Sequence, residues 1–123
     1  MHRALVVDDD DDIRELIALT LRKQGYDVAS IDDSLAALSL ASSTSFDVAL
    51  LDWSMPVMDG GELCSRLREL PGMRDAPILI VTAHADSATR DRAAAAGATQ
   101  FLTKPFSLKH LAEVVGELLG QRP

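Results

Sequence analysis

Residues 5–16, "LVVDDDDDIREL", set a short apolar run, five consecutive aspartates and the opening of a helical pattern side by side. Two unit charges about 4 Å apart repel by roughly 4 kcal/mol at an effective dielectric of about 20, so these carboxylates need different surroundings or a counter-charge. The apolar run begins at Ala4 and is continuous rather than alternating, which predicts a strand buried on both faces. After it, Ile13, Leu16, Ile17, Thr20 and Leu21 follow the i, i+3, i+4, i+7, i+8 spacing of an amphipathic helix, with Gly25 at its stop. The aspartates therefore straddle a strand end and a helix start. Asp8 and Asp9 belong to the strand's end, and Asp10, Asp11 and Asp12 form the cap and first turn, where the helix dipole favours acids.

The same alternation repeats along the chain. Apolar runs recur at 27–31, 47–51, 77–83 and 99–103, as "DVASI", "DVALL", "PILIVTA" and "TQFLT". Between them, Leu35 and Leu38 mark a second helix ended by "SSTS", and Leu63, Leu67 and Leu70 mark a third stopped by Pro71-Gly72. A fourth, over 87–96, is mostly alanine and closes at Gly97. Leu108, Leu111, Val115 and Leu118 mark a fifth, with Ser107 in an N-cap position and Gly116 as a weak point inside it. Five βα units predict an α/β, flavodoxin-like (βα)5 three-layer sandwich, its parallel five-stranded sheet in the order 2-1-3-4-5. One domain over 1–123, with a core of 3–119, accounts for the whole length.

Composition narrows the function. A net charge of −7 argues against binding nucleic acid or an anionic membrane by charge. No apolar run approaches the roughly 20 residues needed to span a bilayer, and there is no N-terminal signal pattern. The single cysteine, Cys64, reads as a small buried hydrophobe. Together these features point to a soluble protein in a reducing, cytoplasmic setting.

In open parallel sheets ligands bind beyond the carboxyl ends of the strands. The residues there are Asp8 and Asp9 after the first run, Asp52 after the third, Thr82 at the end of the fourth and Lys104 after the fifth. Three carboxylates converging on one edge require a proton or a cation. Oxygen ligands with no His or Cys among them suit Mg²⁺ or Mn²⁺. A carboxylate beside a dication and an ammonium is suited to accept a phosphoryl group, with catalysis supplied by positioning and electrostatics.

These residues, with "DWSMPVMDG" at 52–60, Thr82-Ala83 and "KPF" at 104–106, closely resemble the receiver domain of two-component response regulators. The intervals also match that family: 43 residues from Asp9 to Asp52, 30 to Thr82 and 22 to Lys104. The resemblance implies that Asp52 is the phosphoacceptor, Asp9 a direct metal ligand and Asp8 a ligand mainly through water, with the Ser54 backbone carbonyl completing the set. It implies that Lys104 pairs with Asp52 or its phosphoryl group, and that Thr82 and the Ala83 amide face the phosphoryl oxygens. Phe101 takes the place of the family's aromatic switch residue, where tyrosine is common. The Lys104–Pro105 peptide is cis in the family. Ser54 and His84 flank the phosphoryl position and tune its hydrolysis. Asp59 reads as a turn or cap residue, His2 and His110 as surface residues, and Trp53 as covering the rim of the site.

The implied function is a phosphoacceptor switch rather than a turnover enzyme, charged by a sensor histidine kinase or histidine phosphotransfer protein. Its output surface is expected on helix four, strand five and helix five, including Arg90, Phe101 and Lys109. The expected state is a monomer or a phosphorylation-dependent dimer. Two rivals differ in chemistry. A degenerate receiver would bind partners without phosphate, and an aspartyl-phosphate phosphatase typically needs a second acid where Ser54 stands. A flavin-dependent redox role lacks the glycine- or hydroxyl-rich phosphate loop it would need after strand one.

Overall fold

A computed structural model describes residues 1–84 and 86–120. Five strands, β1 (Arg3–Val7), β2 (Asp27–Ile31), β3 (Val48–Leu51), β4 (Ile78–Thr82) and β5 (Gln100–Thr103), form one parallel sheet in the order 2-1-3-4-5. Five α-helices connect and follow them: α1 (Asp11–Lys23), α2 (Ser34–Ser43), α3 (Gly60–Arg68), α4 (Ser87–Ala96) and α5 (Leu108–Gly120). The flavodoxin-like architecture expected from the alternation of patterns is the one observed.

The period-two geometry of a strand divides the core in two. Leu5, Val7, Ala49, Leu51, Ile78 and Ile80 face α2, α3 and α4. Their neighbours Ala4, Val6, Val48, Leu50, Leu79 and Val81 face α1 and α5. Burial on both faces holds for β1 after its first residue, β3 and β4; β2 and β5, at the sheet edges, are mostly half-buried. Cys64 lies fully buried in the first core, and burial pushes its thiol up to about 11.

Local signals explain the helix ends. Asp10 caps α1 by accepting from the Asp12 and Ile13 amides, and Asp59 caps α3 by accepting from Glu62. Gly25 and Gly97 take positive φ where α1 and α4 terminate. Ser107 accepts the His110 amide at the start of α5, which continues through Gly116 to Gly120.

Some details depart from the sequence reading. Leu35 and Leu16 are about half exposed and Leu108 is also exposed, so none of the three belongs to a buried stripe. α2 instead buries Ser34, Ala37 and Ala41, small residues that the leucine pattern overlooked. Pro71-Gly72 opens a short 3-10 turn, Pro71–Met73, which buries Met73. Arg68 stitches this region together, donating to the carbonyls of Met73, Arg74, Ala76 and Gly97. Among the described residues no helix is long and apolar enough to cross a membrane.

Candidate functional site

Strand register places the site. Val7 pairs with Leu51, so Asp8 and Asp52 leave adjacent strands at the same level. Thr82 pairs with Thr103, so Lys104 emerges one residue beyond Thr82. The ladder continues past the strands: the Asp52 amide donates to Val7, and the Lys104 amide to Thr82. The sheet topology thus brings together side chains up to 96 residues apart in sequence.

Asp8, Asp9 and Asp52 each offer a carboxylate oxygen, all within 4.8 Å of one another. Asp8 and Asp52 are buried and Asp9 is exposed, so the cluster opens toward solvent on the Asp9 side. The Lys104 ammonium donates to Asp8 at 3.0 Å and lies 3.6 Å from Asp52. Asp8 is therefore its nearer partner, alongside the expected pairing with Asp52. Burial, followed by repulsion from Asp8, raises the Asp52 carboxyl above its ordinary value, and Lys104 opposes the rise.

The charge balance defines what fits. Three carboxylates against one ammonium leave an excess of two negative charges, and every donor in the cluster is oxygen. That set suits a hard dication such as Mg²⁺.

The loop between β3 and α3 is tightly determined. The Asp52 Oδ1 accepts the Trp53 amide, and the Gly60 amide donates to the Trp53 carbonyl at 2.8 Å. A Cβ on Gly60 would fall 2.2 Å from the Asp52 carbonyl oxygen, so glycine is required for this approach. Val57, 86% exposed, holds φ at +71°, unusual for a β-branched residue, and Met58 donates across it to Pro56. The buried Ser34 hydroxyl pins the loop by donating to the Met58 carbonyl at 2.7 Å.

The remaining expected residues lie around this centre. Thr82 is buried, and its hydroxyl accepts the His84 amide at 3.3 Å. Ser54, Ala83 and His84 are exposed. Phe101 is half-buried against the α2–α4 core, beneath the Arg90 guanidinium at 4.6 Å. The Lys104–Pro105 peptide is cis. Trp53 corrects an expectation: it is not a rim residue. Its indole is buried, packs against Gly61 and lies under Arg92 at 5.6 Å.

Two residues near the site were missed. Ser34 gave no signal, since a serine beginning a helix is ordinary. Arg14 did give one: it shares a helical face with Ile17, Ala18 and Leu21, a charge at a core position.

Comparison with known proteins agrees with this arrangement. The chain is 40% identical over 109 residues to the response regulator MprA of a Mycobacterium species (strain KMS), covering 89% of this chain and 46% of that protein. It spans about half the length of the curated relatives it matches. Among solved structures, the chemotaxis protein CheY4 of Vibrio cholerae superposes with a TM-score of 0.92 at 34% identity, covering 97% of this chain and 99% of that one. The receiver domain of the sensor histidine kinase PA1611 of Pseudomonas aeruginosa, solved with magnesium in its active-site cleft, gives a TM-score of 0.88 at 29% identity, covering 98% of each chain. The family model for the response regulator receiver domain matches residues 4–116, and the chain belongs to that family.

Proposed function

We propose that this domain accepts a phosphoryl group on Asp52 from a phosphohistidine on a sensor histidine kinase or phosphotransfer protein, and changes its partner surface in response. The observation that carries this reading is the convergence of Asp8, Asp9 and Asp52 within 4.8 Å, with Lys104 against two of them. In the transfer, the P–N bond of the donor breaks, the imidazole nitrogen keeping the electron pair, as a P–O bond forms to a carboxylate oxygen of Asp52. Bound Mg²⁺, or Mn²⁺, would neutralise charge developing on the phosphoryl oxygens. Asp8, Asp9, Asp52 and the Ser54 carbonyl would hold it.

The protein's own groups do the rest. Lys104 moves from pairing with Asp8 toward a phosphoryl oxygen, and the Thr82 hydroxyl and Ala83 amide supply further hydrogen bonds. Drawing Thr82 toward the phosphoryl group vacates space for Phe101, which alters the face formed by α4, β5 and α5. Arg90, Phe101 and Lys109 on that face meet a downstream protein, and neither nucleic acid nor membrane is engaged directly by this domain. Ser54 and His84 flank the acyl phosphate and tune its lifetime. The domain works in the cytoplasm as a switch, as a monomer or a phosphorylation-dependent dimer.

The decisive experiment is intact-mass measurement after incubation with Mg²⁺ and a small-molecule phosphodonor. One phosphoryl group should be gained by the wild type and none by Asp52→Asn. No gain in the wild type would leave only a phosphate-independent binding module.

A further inference from the structure

Arg14 is a buried arginine on α1, 9% exposed. Its Nη1 donates to the Asp8 carbonyl at 3.0 Å and lies 2.8 Å from an Asp11 oxygen. Its Nε donates to the Ser30 hydroxyl on β2 at 3.1 Å, and Nη2 lies 3.6 Å from Glu15. Asp32, in the turn after β2, adds to the negative field around it. Burying a guanidinium is unfavourable unless its donors are well placed, so an arginine kept here implies a structural return.

The return lies at Asp8, whose amide continues the ladder to the Ile31 carbonyl at 3.3 Å and which is held at three further points. Its Oδ1 accepts the Asp10 amide at 2.9 Å, its Oδ2 accepts Lys104 at 3.0 Å, and its carbonyl accepts Arg14 at 3.0 Å. The first two contacts fix the carboxylate. The third fixes the peptide: the Asp8 carbonyl and the Asp9 nitrogen share one plane, so holding the carbonyl sets where Asp9 begins. Asp9 is the exposed member of the acidic cluster, and its backbone is held between two contacts, the Arg14 bond to the Asp8 carbonyl before it and the Asp10 amide closing the turn onto Asp8 after it.

The geometry points to Arg14 as a positioning residue for a divalent cation in the acidic pocket, acting by anchoring the Asp8–Asp9 peptide to α1 and β2. This rests on the metal reading of the pocket given above. Two physical effects of opposite sign compete. As a nearby positive charge, Arg14 would repel a dication, and its removal would tighten binding. As a peptide anchor, its removal would weaken binding. The anchoring effect dominates because Asp11 and Glu15 already offset the guanidinium charge.

The test is calorimetric titration of Mg²⁺ into the wild type, Arg14→Met and Arg14→Lys, each checked for folding by circular dichroism. Removing a residue that orients a ligand typically costs about 10–100-fold in metal affinity, and Arg14→Met should fall in that range. Lysine keeps the charge and the stem but not the planar fork, so Arg14→Lys should lie between methionine and wild type. A folded variant of either kind that binds Mg²⁺ as tightly as the wild type, or more tightly, overturns the role. Should Arg14→Met not fold, Arg14→Lys decides alone. A wild type that takes up no Mg²⁺ overturns the metal reading itself and this role with it, whereas binding by the wild type with unchanged variants overturns only the role.

Discussion

The Arg90 guanidinium lies over the Phe101 ring at 4.6 Å, and its Nη2 also donates to the Thr103 hydroxyl at 3.2 Å. One side chain of α4 thus covers the aromatic of β5 and ties the helix to the same strand. Two residues further along α4, Arg92 covers the indole of Trp53 at the end of β3. α4 is held on both flanks by arginines over aromatics.

Arg90→Ala should cost about 0.5–1 kcal/mol, the usual worth of such a contact at a partly exposed site, read by urea denaturation. Arg90→Lys should recover only part of the loss, because an ammonium cannot stack flat on the ring. An unchanged unfolding midpoint in the alanine variant would show that the contact does not hold the helix.

Asp52 works against the fold at neutral pH. Burial and Asp8 raise the Asp52 carboxyl above its ordinary value of 3.8, so between the two values the folded chain binds more protons than the unfolded. Stability therefore falls as pH rises through that window, and the charged form is a net burden above it. Asp52→Asn should melt a few degrees higher than the wild type at pH 7 without Mg²⁺. The gap should close as pH drops below 3.8, and a gap that widens instead would contradict the assignment. Adding Mg²⁺ should raise the wild-type melting temperature more than that of the variant.

Ser34→Ala removes a hydroxyl that touches no acidic residue of the site. It strips the Met58 carbonyl of a 2.7 Å donor inside a buried contact. The expected cost is about 1–2 kcal/mol in denaturant titrations. Because the loop also carries Ser54, Mg²⁺ affinity should fall in parallel, and stability loss with unaltered affinity would separate the loop's two roles.

Two glycine-to-alanine changes should have opposite signs. In Gly60→Ala the new methyl meets the Asp52 carbonyl oxygen at 2.2 Å, and a loss above about 3 kcal/mol or failure to fold is expected. Gly116 lies within α5 with open space around it, and Gly116→Ala should stabilise by about 0.5–1 kcal/mol. Thermal melts of the pair would settle both.

What sequence alone could supply depends on how each part is built. β1, β3 and β4 were legible because strands covered on both faces are written as unbroken apolar runs. The placing of Asp8, Asp9, Asp52, Thr82 and Lys104 at one edge was legible because topology fixes which strand ends lie side by side. α2 was misread in detail because it packs through Ser34, Ala37 and Ala41, and small residues leave no leucine periodicity. Trp53 follows Asp52 directly, which suggests a place at the rim, yet its ring turns into the gap between α3 and α4. Lys104 does pair with Asp52, as the resemblance implies, but its shorter contact is to Asp8, a detail that only three-dimensional spacing supplies. The loop's hold on Ser34 depends on a contact across 24 residues, beyond what local pattern carries.

α4 buries only Thr89 and Ala93 of its ten residues. So shallow an anchor leaves most of its outer surface free to mutate, since substitutions away from the core typically change stability by no more than about 0.5 kcal/mol. The helix beside Phe101 can therefore diverge rapidly between paralogues while the acidic pocket and the sheet beneath it stay as they are.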